Sequence, residues 1–404
     1  MGFGQGLSGL NAASQSLDVI GNNIANSGTV GFKSGTATFA DVYANSRVGL
    51  GTSVASINQR FTIGTISGTG NQFDMAIDGA RGMFRVVEPS GAVLYSRNGQ
   101  FAADKDNYII NAQGQRLTGY INGSTTPSPI MVPVGNIEPS PTELLTFKSN
   151  FDGNEPAIDN TTTPFSPTNS DSYTHYYPVT VYDSLGNKHQ LDQYFVKRQS
   201  ATAGQSEWNV YYRSAGLTVT PADADLTTLT FDDAGRLLTT PATVDVNIDV
   251  TGGASPAAAI AMKVNYADST QFAGPFSPNF TQDGYPTGEY ASMSVAADGS
   301  IVASYTNGET KSVGTLVLAH FNNLQGLQPV GGNAWAETGS SGQPILGVPG
   351  QNGMAQIKGQ AVEESNVDMS QELVNMIIAQ RTYQANAQTI KTQDQVLQTL
   401  INLR

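Results

Sequence analysis

"ELVNMIIAQRTYQANAQTIKTQDQVLQTLINLR", residues 372–404, is the strongest periodic pattern in this chain of 404 residues. Positions 373, 376, 380, 383, 387, 390, 394, 397 and 401 alternate steps of three and four. They read Leu373, Met376, Gln380, Tyr383, Ala387, Ile390, Asp394, Leu397 and Ile401. This is a heptad seam with two polar interruptions, Gln380 and Asp394. Ser370 can cap the helix, and Glu372 suits the positive end of its dipole. At 1.5 Å per residue the helix would be about 50 Å long. A helix so long with so narrow an apolar stripe needs a helical partner. Ile377, Val396 and Leu400 lie off the seam and call for further helices, supplied by neighbouring copies.

The partner is expected at the other end of the chain. Phe3, Leu7, Leu10, Leu17, Ile20 and Ile24, with Ala12 and Ala13 between them, form a second helical stripe. Glycines before Leu10 weaken helix propensity, so the firm helix is expected from Ser8. It should stop near Asn26-Ser27-Gly28, inside "LDVIGNNIANSGTVGFK" (17–33), where short polar side chains and glycine favour turns. The asparagines there can be read as a plain helix stop or as a docking determinant.

Between the two helices the pattern is strand and turn. Residues 30–70 are polar and weakly patterned, fitting extended segments or a short hairpin. From Phe73 short β-rich runs (Met83–Val87, Val93–Ser96, Tyr108–Asn111) alternate with Asp-Gly, Ser-Gly, Asn-Gly and Gln-Gly turns. Residues 121–145 are rich in Pro, Ser and Thr and read as a connector. "YYPVTVYDSLGNKHQLDQYFVK" then gives a hairpin, Val179–Tyr182 and Gln190–Val196 around a turn at 183–187.

The expected fold class is therefore mainly β with α-helical termini. The terminal helices form a coiled coil, and nested antiparallel β-domains are inserted between them. The expected division is a terminal coiled-coil domain (1–29 plus 365–404), an extended linker (30–70 plus 359–364), a first β-domain (71–145 plus 283–358) and an outer, inserted β-domain (146–282).

Composition bounds the function. Residues 1–32 and 364–404 each carry a net charge of −1, so nearly all of the chain's −13 sits in the middle. Nothing here attracts nucleic acid, which needs a basic patch. An acidic surface suits anionic lipid poorly, and no run approaches the roughly 18 apolar residues of a membrane span. The start has neither a basic n-region nor an apolar core, so no standard signal peptide is expected. With no cysteine, thiolate metal sites and a cysteine nucleophile are excluded. His175, His189 and His320 stand far apart in no ligand spacing, and read as structural or surface residues. No catalytic constellation, cofactor loop or metal site emerges. The chain is not expected to be an enzyme.

At its two ends the chain resembles the flagellar rod/hook axial protein family. The marks are "SGLNAASQSLDVIGNNIANSGTVGFK" (8–33) and "ESNVDMSQELVNMIIAQRTYQANAQTIKTQDQVLQTLINLR" (364–404), with "RNGQF" (97–101) and "NAWAET" (333–338) in the β-body. The glycine-rich start "MGFGQG" departs from the family, which more often has serine at the second position. Rod-type members share these termini but look too short for a second β-domain, so 146–282 favours a hook-type subunit.

The resemblance implies a structural subunit. It would be exported unfolded by the flagellar type III export apparatus and polymerise outside the cell, in the flagellum. The product would be a curved flexible tube, a universal joint transmitting torque from rod to filament. Implied partners are further copies of itself, the hook cap protein during assembly, the distal rod protein and the hook–filament junction protein. No nucleic acid or membrane insertion is implied. Leu7, Leu10, Leu17, Ile20 and Ile24 would then meet Leu373, Met376, Tyr383, Ile390, Leu397 and Ile401 in the inner tube. Asn22, Asn23, Asn26, Gly31 and Phe32 would end the first helix and start the link outwards. The helix glutamines, Gln388 and Gln395 among them, can be read as a solvated helix face or, in such a tube, as facing the lumen. The competing readings are a non-polymerising cell-surface β-protein such as an adhesin, and a distal rod-type axial protein.

Overall fold

The computed structural model describes residues 3–42, 49–121, 123–222, 227–252 and 256–402, with side chains as far as residue 399. It is mostly β, with one long helix at each end. Contacts divide the chain into two compact units. One comprises Met1–Val134, Ala291–Ser304 and Thr310–Arg404, the other Gly135–Tyr290 and Tyr305–Glu309.

Helix α1 spans Phe3–Ala25 and helix α2 spans Met369–Asn402. Two sequence expectations are corrected here. Helix α1 starts at Phe3 rather than Ser8, because tertiary packing outweighs the glycine penalty. Gly6 is buried beside Ile390 of α2, where a helix lacking Cβ can approach closely. The cap of α2 is Asp368 rather than Ser370. The Asp368 carboxylate accepts from Gln371 N at 3.1 Å, and Ser370 already lies inside the helix.

In the first unit, strands Thr310–Leu316, Arg116–Tyr120, Met83–Val87, Val93–Ser96, Ala334–Ala336 and Gln328–Gly331 lie side by side in that order. Met83, Tyr95 and Trp335 from these strands join Ala319 and Phe321 in one buried cluster. The weakly patterned region 30–70 contains a hairpin, Gly35–Val42 against Gly51–Gln59, that packs on α1. Ile66–Gly68 pairs with Ala361–Glu363, and Met75–Asp78 pairs with Gln356–Gly359. The chain leaving α1 and the chain entering α2 thus run beside each other.

The second unit is two sheets around one core. A four-stranded sheet runs His175–Tyr182, Lys188–Arg198, Ser206–Arg213, Thr227–Phe231. A five-stranded sheet runs Thr218–Thr220, Thr243–Asp249, Ile260–Asn265, Leu144–Asn150, Ser277–Gln282. Phe147, Phe151, Phe195, Trp208 and Phe231 fill the space they share. The antiparallel expectation needs one amendment: Leu144–Asn150 pairs with Ile260–Asn265 in parallel. These strands lie more than a hundred residues apart in sequence, so no tight turn fixes their relative direction.

Candidate assembly site

Helix α1 ends in its own asparagines. Asn26 Nδ2 donates to Asn22 O at 3.0 Å and to the Asn22 side-chain oxygen at 3.1 Å, while Asn26 Oδ1 accepts from Thr29 Oγ1. Asn23 does something different. It is only 1% exposed; its Nδ2 donates to Gly35 O at 2.8 Å, and its Oδ1 accepts from Gly35 N at 2.9 Å. One amide thus makes both bonds of a strand pair and fixes the start of the hairpin to the helix end.

Beyond the helix the chain enters a buried ion cluster. The Lys33 ammonium pairs with Glu363 and donates to Thr62 O at 2.8 Å. Arg97 Nη1 donates to the other Glu363 oxygen at 3.0 Å and to Gly79 O at 3.0 Å, and its Nη2 donates to Ala80 O at 2.9 Å. Gly64 N donates to Glu363 as well, at 2.9 Å. Lys33 and Glu363 side chains are fully buried and Arg97 is 3% exposed. Burial pushes the Lys33 ammonium below its usual range; Glu363 opposes that shift, and neighbouring Arg97 adds to it. Arg97 is likewise lowered by burial against the pull of Glu363. One carboxylate therefore holds two cations away from water. Such a cluster is costly to form and costlier to break.

The cluster ties together three distant stretches: "VGFK" after α1, "RNGQF" in the β-body and the strand before α2. Neighbouring contacts repeat the theme. Gly31 N donates to Glu363 O at 2.8 Å. Gly31 has φ +73°, and a Cβ there would lie 2.5 Å from Asn98 N, so only glycine fits. Asn333 Nδ2 donates to Val30 O at 2.9 Å, and Trp335 Nε1 donates to Gln59 Oε1 at 2.7 Å. Asn366 accepts from Ser34 N at 2.8 Å and donates to Arg60 O at 2.6 Å. The motifs "RNGQF", "NAWAET" and "ESN" are scattered in sequence and converge on one linker.

The helix pair is the second part of the site. Gly6 approaches Ile390 and Gly9 approaches Asn386, so α1 and α2 are antiparallel. A Cβ at Gly9 would come within 2.9 Å of the Asn386 amide. Gly6, Ala12, Ala13 and Ile20 are the buried residues of α1 before Asn23, and Ala379 is buried in α2. Small residues thus make most of the contact.

Of the expected seam, Ile20 is buried, while Leu10, Leu17, Ile24, Met376 and Ile390 are half-buried. Leu7, Leu373, Tyr383 and Leu397 are exposed. Ile401 lies in the last turn of α2, and its side chain is outside the described residues. The stripe turned inwards passes through Asn375, Ala379 and Asn386, one step out of phase with the heptad. Apart from Ile20 and from Ile390 against Gly6, the large seam residues lie at the margin of a contact set by glycine and alanine, or outside it. In the docking motif, Asn23 and Gly31 are buried, Asn26 and Phe32 half-buried and Asn22 exposed. Sequence reasoning missed Lys33, Arg97 and Glu363. Lys33, the chain's first basic residue, placed directly after an apolar Val-Gly-Phe, was the available signal.

The histidines stand apart. His189 Nε2 lies 2.9 Å from Asp183, His175 stacks between Phe276 and Trp208, and His320 ends a strand. Among the described residues no group of three His, Cys, Asp or Glu is placed to hold a metal. No helix among them is long and apolar enough to cross a membrane.

Four family profiles match the chain in order. They are "Flagella basal body rod protein" over 5–33, "Flagellar hook protein FlgE/F/G D1 domain" over 76–138, "Flagellar basal body protein FlaE D2 domain" over 150–285 and "Flagellar basal body rod FlgEFG protein C-terminal" over 358–403. The chain is 44% identical over 413 residues to the flagellar hook protein FlgE of Salmonella typhimurium, covering all of both chains. It is 44% identical over 412 residues to the FlgE of Escherichia coli, again covering all of both. Among solved structures it resembles flagellar hook protein FlgE2 of Helicobacter pylori. The TM-score is 0.55 at 15% identity, covering 74% of this chain and all of the other, which speaks for the fold.

Proposed function

The chain belongs to the flagellar hook protein FlgE family, and on that premise we propose how it works as the structural subunit of the flagellar hook. Copies polymerise through their terminal helices into a curved, flexible tube. The tube stands outside the cell in the flagellum, as a universal joint passing torque from rod to filament. The observation that carries the assembly reading is the outer side of α2. Leu373, Val374 and Ile377 are each about half exposed on a helix already packed on α1. At about 25 cal/mol per Å² of apolar area, water contact there is unfavourable, and covering it with neighbouring helices drives association.

The division that supports this role is 1–29 plus 365–404 as a terminal coiled-coil domain and 30–70 plus 359–364 as linker. The first β-domain is 71–145 plus 283–358, and 146–282 is the outer one. The buried cluster at Lys33, Arg97 and Glu363 makes the linker stiff at its junction with the first β-domain, so torque passes rather than being lost in a loose chain. Exposed Gln380, Gln384, Gln388 and Gln395 give α2 an uncharged polar side. Lining the lumen with amides lets exported chains of either charge slide past. Export passes through the flagellar type III apparatus, and the hook cap, distal rod and hook–filament junction proteins meet the tube at its ends.

Negative-stain electron microscopy of the full chain beside a version lacking 1–30 and 365–404, at high concentration in a polymerising salt, tests the assembly reading. Curved tubes are expected from the full chain alone. Tubes from the truncated chain, or dispersed particles from both even on preformed hook seeds, would overturn it.

A further inference from the structure

Two features of the terminal helices have no partner among the described residues. The first is an open groove of about 750 Å³ between α1, α2 and the hairpin strand Gly35–Val42. Ala12, Ala13 and Ile20 form its floor, and Ala37, Phe39 and Ile378 its walls. Arg60 and Glu372 stand on it, and neither has an ion pair among the described residues.

The second is the end of α2. The antiparallel register, Gly9 with Asn386 and Gly6 with Ile390, places Phe3 opposite residue 393 or 394. Residues 394–402 therefore run past the described start of α1. Every described side chain there, 394–399, is exposed, including the apolar pair Val396 and Leu397.

We infer that the groove of one copy receives the C-terminal overhang of α2 from the next copy. The inference rests on the reading that copies polymerise, and names the surfaces that meet. Three observations select this occupant. The first is axial placement. The groove runs along α1 from Gly9 to Ile20 and reaches the end of the pair where α2 begins, while the overhang projects from the opposite end. A displacement along the helix axis, with a sideways shift off the line of α2, brings one to the other. Such a head-to-tail contact does not close on itself and generates an open helical polymer.

The second is size. Nine overhanging residues span about 13 Å of helix, and the groove floor from Gly9 to Ile20 spans about 17 Å. The third is charge. The groove offers Arg60 and Glu372, and the overhang carries Asp394 with Lys391 one turn before it. An apolar helix edge carrying Asp394 meets an apolar groove that offers Arg60, the helix-in-groove mode of recognition.

The chain has no cysteine, which makes the contact directly testable. Ala37→Cys with Leu397→Cys, and separately Thr52→Cys with Val396→Cys, are placed in the full chain, polymerised and oxidised. A ladder of disulfide-linked dimers, trimers and longer species on a non-reducing gel is expected, because each bond joins successive copies. Tubes yielding only monomers, or only closed dimers, would overturn the inference and leave the assembly reading standing. If the unmodified chain forms no tubes, the assembly reading itself fails. A peptide of residues 390–404 added to the unmodified chain covers the case in which the cysteine pairs block assembly. It should slow elongation on seeds several-fold, and the same peptide with Leu397→Asp should not. Equal rates with both peptides would overturn the inference.

Discussion

The second β unit and the terminal helix pair bury their apolar residues in opposite ways. In the β unit, Phe147, Phe151, Phe195, Trp208 and Phe231 are wholly buried, with ring centroids 5.1–5.6 Å apart around Phe151. In the helix pair the buried residues are mostly small, Ile20 being the exception, and Leu373, Val374, Ile377, Ile378 and Leu397 face water. One region completes its core within a single chain; the other leaves large apolar residues of α2 in water. A tube that bends while rotating gains from this division. On the proposed assembly, cohesion would come from helices that share their apolar faces, and the second β unit would remain a self-sufficient body.

The widest separation between the regions comes from paired truncations. Trp208→Ala should destabilise the β unit by about 3–5 kcal/mol, the usual cost of emptying a large aromatic site. Its indole N–H has no partner in the structure, so no hydrogen bond is lost with it. Ile377→Ala should change the monomer's stability by less than about 0.5 kcal/mol, as exposed sites generally do. It should nevertheless lower the extent of polymerisation. Denaturant melts of monomer and sedimentation of polymer check both. A monomer strongly destabilised by Ile377→Ala would remove the contrast.

The junction sharpens the comparison, being polar and yet finished within one chain. Glu363→Gln leaves Lys33 and Arg97 buried without a counter-charge and should cost about 3–5 kcal/mol. Lys33→Met should cost less, since the remaining Arg97–Glu363 pair is balanced. Urea unfolding of the two variants gives the order directly. A reversed order would mean that the Lys33 ammonium, rather than the carboxylate, organises the cluster.

Asn23→Ala comes next. It removes two bonds to Gly35 and leaves that backbone N–H and C=O short of partners beneath the hairpin. A loss of about 1–3 kcal/mol is expected. Hydrogen exchange should show it as faster exchange in Gly35–Val42, with the second β unit unchanged.

How far these regions could be read from sequence differs for the same reason. Met83–Val87 and Val93–Ser96 form strands with the expected bounds, because alternation and turn residues are local signals. The turn at Asp183–Asn187 is built as its sequence suggests, with the Asp183 carboxylate accepting from Leu185 N and Asn187 N. Both helices were legible from periodicity. The face by which they meet was not, because Gly6, Gly9, Ala12 and Ala379 carry almost no hydrophobic signal, while Leu373 and Tyr383, which do, point elsewhere. The ion cluster was invisible locally. Glu363 lies 330 residues from Lys33 and 266 from Arg97, and no spacing rule reaches that far. The role in assembly came from the resemblance of the termini, not from any pattern that chemistry alone would single out.

The smallest expected effect concerns pH and is read in the second β unit. His175 lies flat against Phe276, with ring centroids 4.3 Å apart, and its Nε2 is buried without a partner. Burial lowers its pKa below 6.5, and the partial attraction of Glu155 and Asp152 does not restore it. The unfolded chain therefore takes up a proton at a higher pH than the folded one. Stability from this site is complete above about pH 6.5 and declines as pH falls below it, until the folded imidazole also protonates. The lowered carboxylates Asp183 and Asp232 act in a separate window, below their ordinary 3.8. Urea midpoints of the second β unit should thus fall between pH 7 and 5, and His175→Phe should flatten that slope while the helix pair shows no change. A slope unaffected by His175→Phe would place the titrating group elsewhere.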